Sequence, residues 1–179
     1  MINTGQADFM FITKMTDQRT DYMDFLIPSN DDINVVFLTR KSDRLRDYTG
    51  LEDKILGIVT GYAHFKKLDA DSEINKLFVM SWEQLPKVLM AGRADSIITY
   101  EGIADVMLLD YPDIVKSSYY VSQIPMAFLV VSKKSPYHDR LDELKLIAQG
   151  MLNDGYVEAI MDEYMPGVSL PFPKSAILN

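Results

Sequence analysis

A short glycine turn is the first segment of this sequence with a clear chemical use. The residues Thr-Gly-Tyr-Ala-His, 60–64, end a β-prone run from Ile55 to Gly61 and precede a predicted short helix from Tyr62. Backbone amides at a helix N-terminus attract anions, because they have no partner within the helix and the helix dipole adds positive charge. The amides of Gly61, Tyr62 and Ala63 therefore predict a site for an anionic group, with a plain packing turn as the alternative.

Groups for covalent or metal chemistry are scarce. The chain has no cysteine and two histidines, His64 and His138, which excludes disulfides, thiolate catalysis and zinc held by cysteine. A serine nucleophile needs a base and a third group that orients the base, and no such signature accompanies either histidine. We therefore predict no enzymatic activity, no cofactor and no metal site. His64 is either a polar residue of a ligand site or an incidental one.

The composition limits the class of partner. The 179 residues are 47% hydrophobic and carry a net charge of -8, as expected of a soluble globular chain with one or two domains. Nucleic acid is excluded as a partner, because its phosphates require clustered Lys and Arg. An apolar run long enough to span a bilayer is absent from the sequence, and polar residues at Asn3, Thr4 and Gln6 interrupt any signal peptide.

One phrase occurs twice, as GQADFMFIT at Gly5–Thr13 and as GRADSIITY at Gly92–Tyr100. A β-prone run follows each glycine, so both glycines are predicted to cap a helix that turns into a strand. In the second copy, the segment from Ser81 supplies that helix. In the first copy the chain begins at Met1, where the helix should be ending, which predicts that N-terminal units of the fold are missing.

Two apolar runs, Ile33–Lys41 and Ile124–Lys134, bracket a complete cycle of strands and helices. This arrangement predicts an inserted α/β lobe, residues 37–126, which two strands join to a partial first lobe, residues 1–36 and 127–179. Ligands of such proteins bind in the cleft between the lobes, near the carboxyl ends of the strands.

Four segments of the chain, in order and spacing, resemble the family 3 extracellular solute-binding proteins of polar amino acid ABC transporters. The resemblance runs from Gly5 to Pro166, and its segments are GQADFMFITKMTDQRTDYMDFLIP, LEDKILGIVTGYAHF, LMAGRADSIITYEGIAD and LNDGYVEAIMDEYMP. It implies an α/β, type II periplasmic-binding-protein-like fold with two lobes joined by two hinge strands, the first lobe lacking its N-terminal units. It also implies a periplasmic location and a membrane permease as partner.

The resemblance assigns candidate ligand residues to the first lobe. Arg19 of the Thr16–Arg19 element matches the arginine that pairs with a ligand carboxylate, and a guanidinium fork suits that role. The alternative is that Arg19 is a surface residue of a turn capped by Thr16. Thr13 and Lys14 lie where the family presents hydroxyls and backbone donors. Lys14 departs from the usual small residue, so it either adds a second positive charge or fills the site.

In the inserted lobe the resemblance assigns the turn Gly61–Ala63 to the ligand carboxylate and makes Tyr100 the main departure. Amino-acid binders of the family commonly have an aspartate at this position, which pairs with the ligand ammonium. Here Tyr100 is followed by Glu101. Unless Glu101 reaches the ligand, the ammonium partner is lost, and a carboxylate without an amine or an aromatic-stacked solute becomes the better candidate.

The leading prediction is a protein that binds a small carboxylate-bearing solute as the substrate-binding component of an ABC transporter. A ligand-sensing or degenerate interaction domain of the same fold is the first alternative. A cyclohexadienyl dehydratase-like lyase is the second, and it requires an acid such as Glu101 with a raised pKa. An incomplete first lobe would expose a sheet edge, which predicts a homodimer or a marginally stable chain.

Overall fold

The structure is a computed structural model, and it describes residues 1–28 and 33–164, except for the side chains of 123 and 124. The strands are β1 Phe9–Lys14, β2 Met23–Pro28, β3 Ile33–Arg40, β4 Ile55–Val59, β5 Asn75–Val79, β6 Ser96–Tyr100, β7 Ile114–Ile124 and β8 Met126–Ser132. The helices are α1 Asp17–Thr20, α2 Lys66–Ala70, α3 Leu85–Met90, α4 Glu101–Asp110, α5 Leu141–Asn153 and α6 Tyr156–Tyr164. Short 3₁₀ turns are Ile2–Thr4, Tyr48–Leu51, Trp82–Gln84 and His138–Arg140.

The chain folds into two units. Unit 1 comprises Met1–Ile33 and Gln123–Asn179, and unit 2 comprises Asn34–Ser122. The lobe limits predicted from the sequence, 36/37 and 126/127, fall near these points, within β3 and β8. The last part of the predicted first lobe, residues 165–179, lies outside the described residues. The assignment of the two units as lobes of one binding protein stays a prediction.

Unit 2 is built on a five-stranded sheet with the order β5-β4-β6-β3-β7. Strand β4 is parallel to β5 and to β6, whereas β3 runs antiparallel to β6. Strand β3 lies between β6 and β7, and its residues 35–39 are all buried, so both of its faces are covered there. Helices α3 and α4 cover one face, where Leu85, Leu89 and Ala104 contact Leu38 and Ile97 in one buried cluster.

The repeated Gly-x-Ala-Asp segment forms a similar turn in both units, in which the glycine ends a helical segment and a strand follows. Gly92, with φ 69°, follows α3. Its N–H donates to the carbonyl oxygen of Leu89 at 3.1 Å, and the N–H of Arg93 donates to the carbonyl oxygen of Val88 at 2.9 Å. This pattern is a Schellman cap, which needs a left-handed residue. Gly5, with φ 77°, closes the 3₁₀ turn Ile2–Thr4 by donating to the carbonyl of Ile2. Strands β1 and β6 begin directly after the aspartate of each phrase, so the predicted glycine caps are confirmed.

Unit 1 is built on an antiparallel three-stranded sheet with the order β1-β8-β2. Every residue of the central strand β8 is buried. Helix α5 packs against β2 and β8, and α6 packs against α5. Strand β1 is an edge of this sheet, and Phe11 on it is 50% exposed. An exposed apolar edge is the feature from which the homodimer was predicted, and the homodimer stays a prediction.

The helix predicted from Tyr62 begins later than the sequence indicated. Strand β4 ends at Val59, and α2 begins at Lys66 with Phe65 in an extended conformation as its N-cap. Gly61 has φ 83°, and the N–H of Tyr62 donates to the carbonyl of Val59, so the chain forms a turn and then an extended segment. The amides of Gly61, Tyr62 and Ala63 therefore do not lie at a helix N-terminus, and the anion argument from the helix dipole is wrong.

Candidate functional site

Aromatic side chains gather at one edge of the unit 2 sheet, where the parallel strands β4, β5 and β6 end. The turn 60–64 follows β4, Trp82 follows β5, and Tyr100 is the last residue of β6. The rings of Tyr62 and Trp82 lie 4.6 Å apart at 70°, and those of Trp82 and Tyr100 lie 6.2 Å apart at 57°. His64 stacks on Tyr100 with a centroid separation of 6.4 Å. We call Tyr62, His64, Trp82 and Tyr100 the ring cluster.

Tyr100 connects the end of β6 to the turn 60–64. Its hydroxyl donates a hydrogen bond to the carbonyl oxygen of Ala63 at 3.0 Å. This bond joins residues far apart in sequence, and it fixes the plane of the Tyr100 ring against the turn. The phenol therefore stands where the resemblance implied an acidic side chain, and a structural bond occupies its hydroxyl hydrogen.

His64 is fully buried, with 0% of its surface exposed, so it is not an incidental surface histidine. Its backbone N–H donates to both carboxylate oxygens of Asp69, at 2.9 and 3.1 Å. Its Nδ1 lies 4.0 Å from Asp69 Oδ1. His64 is thus the buried member of the ring cluster, whereas Tyr62, 46% exposed, forms its open surface.

Glu101 begins α4 and is held by residues of two other strands. Its Oε2 accepts from Asn34 Nδ2 at 2.6 Å, and its Oε1 lies 2.9 Å from Lys116 Nζ. Lys116 also lies 2.6 Å from Asp105. The hydrogen bond from Asn34, followed by that from Lys116, lowers the pKa of Glu101. The lyase alternative needs an acid with a raised pKa, so Glu101 does not fit that role.

The Glu101 network predicts a pH dependence of stability. The folded-state pKa of Glu101 lies below its ordinary value of 4.5, so its contribution is present above that value and is lost as pH falls through the folded-state pKa. We expect Glu101→Gln to lower the free energy of unfolding at pH 7 by less than about 1 kcal/mol, because the pair is half-exposed. The difference should become smaller as the pH falls below 4.5.

Thermal unfolding of both proteins at pH 7, 5 and 3 measures this effect. Glu52→Gln is the matched control, because Glu52 is an exposed carboxylate of the same unit. A Glu101→Gln deficit that is equally large at pH 3 and pH 7 would contradict the ionic role of Glu101.

In unit 1, the predicted residues Thr13, Lys14, Thr16 and Arg19 lie together where β1 ends and α1 begins. Thr13 and Lys14 are buried, with 4% and 7% of their surfaces exposed. Thr16 caps α1 by accepting a hydrogen bond from the N–H of Arg19 at 3.4 Å. Arg19 is half-buried, and its Nη1 donates to the carbonyl oxygen of Lys14 at 3.0 Å. Within residues 1–28 and 33–164, Arg19 forms no ion pair.

Trp82 is the residue that the sequence analysis missed. It contacts both Tyr62 and Tyr100, at the centre of the ring cluster. A signal was available, because the only tryptophan of the chain follows shortly after the strand that ends at Val79. The described part of the chain contains no group of three His, Asp or Glu side chains that could hold a metal ion, and no helix there is long and apolar enough to cross a membrane.

Comparison with solved structures identifies proteins with a similar fold. The structure matches holo ArgBP from T. maritima with a TM-score of 0.69 at 19% identity, covering 91% of this chain and 71% of that one. It matches an ancestral arginine-binding protein bound to arginine with a TM-score of 0.71 at 18% identity, covering 92% and 74%. An amino acid ABC transporter substrate-binding protein, AbpA from Streptococcus pneumoniae, bound to L-arginine, gives a TM-score of 0.70 at 17% identity, covering 94% and 73%.

No protein-family model matches the chain, and no curated protein matches it. The likeness to solved structures therefore rests on backbone geometry, and at this identity it concerns the fold. The chain has the type II fold of the solute-binding proteins of amino acid ABC transporters, which confirms, for the fold, the resemblance drawn from its sequence.

Proposed function

We propose that the chain binds a small carboxylate-bearing solute, an amino acid or a relative, as the solute-binding component of an ABC transporter. The observation that carries this proposal is the setting of Arg19. Its guanidinium is half-buried and oriented by the Lys14 carbonyl, and it forms no ion pair with any described carboxylate. A guanidinium held in this way, with donors that no described carboxylate uses, is suited to pairing with the carboxylate of a ligand.

The geometry around Arg19 suits recognition of a carboxylate. A guanidinium has five N–H donors in a planar fork, and the Lys14 carbonyl accepts from Nη1. The cap of Thr16 on the Arg19 amide fixes the backbone from which the side chain extends. Donors remain for a bidentate pair with a ligand carboxylate, which is stronger than a neutral hydrogen bond.

In unit 2 we propose that the solute contacts Gly61, Ala63 and the three exposed or half-exposed rings of the cluster, Tyr62, Trp82 and Tyr100. A Cβ built on Gly61 would meet no atom within 4 Å, so the backbone there is open to close approach by a ligand. Tyr62 and Tyr100 offer ring surface at the same edge. The burial of His64 and the pairing of Glu101 with Lys116 make these two residues supports of the site instead of ligand contacts.

The similar structures support an amino acid as the first solute to test, because two of them contain bound arginine. By the same likeness we propose a periplasmic location and a membrane permease as partner. A sensor or interaction domain of the same fold remains the alternative, and it predicts no response to free solutes.

Substitution of Arg19 tests the proposal. We expect Arg19→Ala to weaken solute binding by about tenfold to a hundredfold, because a charge-assisted bidentate hydrogen bond is lost. Arg19→Lys should give an intermediate loss, since it keeps the charge but not the fork. A thermal-shift screen with L-arginine, other amino acids, dicarboxylates and aromatic carboxylates identifies the solute, and calorimetry then gives the affinities.

The control is Arg140→Ala, which removes an exposed arginine of unit 1 that pairs with Glu143 at 2.6 Å. This variant should bind the solute like the parent chain. A solute that binds equally well to the parent and to Arg19→Ala would refute the role of Arg19. The absence of binding by any carboxylate in the screen would favour the interaction domain.

A further inference from the structure

A cavity of about 300 Å³ in unit 2 is lined by residues of β3, of the segment that follows it and of β7. Its lining includes Thr39, Arg44, Leu45, Arg46, Val115 and Ser118. Thr39 is opposite Ser96, the first residue of β6, whereas Tyr100 of the ring cluster is the last. At a rise of about 3.3 Å per residue, these two ends of β6 are roughly 13 Å apart. The cavity therefore lies apart from the ring cluster, and its volume suits a small solute.

Two arginines of this cavity have guanidinium donors that are available to a ligand. Neither Arg44 nor Arg46 forms an ion pair within residues 1–28 and 33–164. Arg44 Nη1 lies 3.4 Å from the carbonyl oxygens of Lys41 and Asp43, a long separation for a hydrogen bond. Leu45, between the two arginines, is buried and anchors the backbone from which both side chains extend. Two cations thus border one small cavity.

The aspartates next to these arginines in the chain are bonded to other residues. The carboxylate of Asp43 lies 2.8 Å from Nη2 of Arg40. Asp47, which follows Arg46, accepts a hydrogen bond from the Thr49 hydroxyl at 2.7 Å. These contacts leave the guanidinium groups of the cavity without a close carboxylate partner in the part of the chain that the structure describes.

A third cation of the lining, Lys116, is already paired. Its Nζ lies 2.9 Å from Glu101 and 2.6 Å from Asp105. The cationic donors that remain for a ligand are therefore those of Arg44 and Arg46. The chain as a whole carries a net charge of -8, so two unpaired arginines at one cavity run against its general composition.

The wall of the cavity also carries a buried hydroxyl. Thr39 is 3% exposed, and its hydroxyl has no hydrogen-bond partner among the described residues. Ser96, which is opposite Thr39 in the β3-β6 pair, is 1% exposed, and its hydroxyl likewise has no partner there. Buried hydroxyls without a partner are unfavourable. The Thr39 hydroxyl, which borders the cavity, is therefore suited to bond an oxygen of a ligand.

We propose that this cavity binds a small solute that carries a phosphate group. Guanidinium forks match phosphate oxygens in bidentate pairs, and the three terminal oxygens and near-double charge of a phosphate monoester can engage both Arg44 and Arg46. The Thr39 hydroxyl donates to a further ligand oxygen. The inference does not rest on the proposed function, because all of these residues belong to unit 2 and Arg19 belongs to unit 1.

Glycerol 3-phosphate and glycerol form a matched pair of probes, because only the first carries the phosphate. In calorimetry of the full chain at constant ionic strength, we expect saturable binding of glycerol 3-phosphate at millimolar concentrations and no binding of glycerol. Inorganic phosphate is the third probe. Binding as tight as that of the ester would support free phosphate as the ligand, and weaker binding would support a phosphate ester.

Arginine variants test the position of the site. We expect Arg44→Gln and Arg46→Gln each to weaken the binding of glycerol 3-phosphate by about tenfold. The control is Arg93→Gln, which removes the same charge from an exposed arginine of unit 2 outside the cavity lining. That variant should bind like the parent chain.

Thr39→Val separates a ligand contact from a structural role. Valine has nearly the same shape but no hydroxyl, so we expect binding to weaken by about fivefold. The melting temperature without ligand should stay equal or rise, because the hydroxyl has no partner in the free protein. A lower melting temperature with unchanged binding would show that the hydroxyl supports the fold and not the ligand.

Three results would overturn the inference. The first is no binding of either phosphate compound at millimolar concentrations. The second is a loss in Arg93→Gln as large as that in Arg44→Gln, which would indicate general attraction of anions. The third is loss of phosphate binding in Arg19→Ala, which would place the anion in unit 1. Phosphate binding that survives Arg19→Ala supports the inference whether or not the proposed function holds.

Discussion

The Phe37→Ala variant is expected to unfold with a free energy about 3–5 kcal/mol lower than that of the parent chain. Phe37 lies in the middle of β3, opposite Ile98 of β6, with 0% of its surface exposed. Its ring stacks on Tyr119 at 5.0 Å and meets the Phe65 ring edge-on at 6.4 Å. Truncation removes apolar contacts and leaves a cavity that a central strand cannot collapse to fill.

Urea unfolding followed by the fluorescence of Trp82 measures this loss, because Trp82 reports on unit 2. The control is Phe78→Ala, the same substitution at a side chain of unit 2 that is 60% exposed. We expect it to change the free energy of unfolding by less than about 1 kcal/mol. Equal losses in the two variants would mean that Phe37 is not part of the core that the structure assigns to it.

The Arg40→Met variant should lose about 2–3 kcal/mol, the second-largest effect that we expect. Arg40 Nη1 donates to the carbonyl oxygens of Leu89 and Ala94, at 2.7 and 2.9 Å. Its Nη2 lies 2.8 Å from Asp43 and 3.6 Å from Asp95. Methionine keeps most of the aliphatic stem but leaves the Leu89 and Ala94 carbonyls without this donor at the end of α3.

The matched control is Arg93→Met, which removes an exposed arginine from the repeated phrase itself. The backbone N–H of Arg93 still caps α3 in this variant, so we expect a change within about 0.5 kcal/mol. Thermal and urea unfolding of both variants give the comparison. If Arg40→Met were as stable as Arg93→Met, the hydrogen bonds of Arg40 to the α3 terminus would make no net contribution to the free energy of unfolding.

These two variants change residues of β3 that support the candidate site, and neither residue belongs to the site itself. Strand β3 pairs with β6, and Tyr100 at the end of β6 is opposite Val35. The Arg40 hydrogen bonds stabilise the turn between α3 and the start of β6. Loss of either support should therefore also weaken solute binding at conditions where part of unit 2 is unfolded, in proportion to the unfolded fraction.

Much of the fold could be predicted because its signals are local. Apolar β-branched runs indicate the buried strands β3 and β8, since a strand covered on both faces has no polar alternation. The phrase Gly-x-Ala-Asp indicates a helix end that turns into a strand, because a left-handed residue is required there and glycine supplies it. Gly5 and Gly92 both have this conformation.

The helix start in the turn 60–64 could not be predicted in the same way. A short helix gains little from its own residues, so tertiary contacts decide where it begins. Here Ala63 accepts from Tyr100, and the His64 N–H is bonded to Asp69. These contacts keep residues 62–65 out of the helix, and the sequence offers no local sign of them.

By itself, the sequence determined the α/β class and the repeated turn from helix to strand. It also indicated a group of candidate residues around Arg19 within one short segment, and their role in ligand binding stays a prediction. Only the tertiary structure decided that Trp82 joins Tyr62 and Tyr100, that His64 is buried, and that Glu101 is held by Asn34, which is 67 residues away. The physical reason is that periodicity and turn preferences depend on neighbours in the chain. Burial, pairing and pKa depend on neighbours in space, which the packing of the sheet brings together.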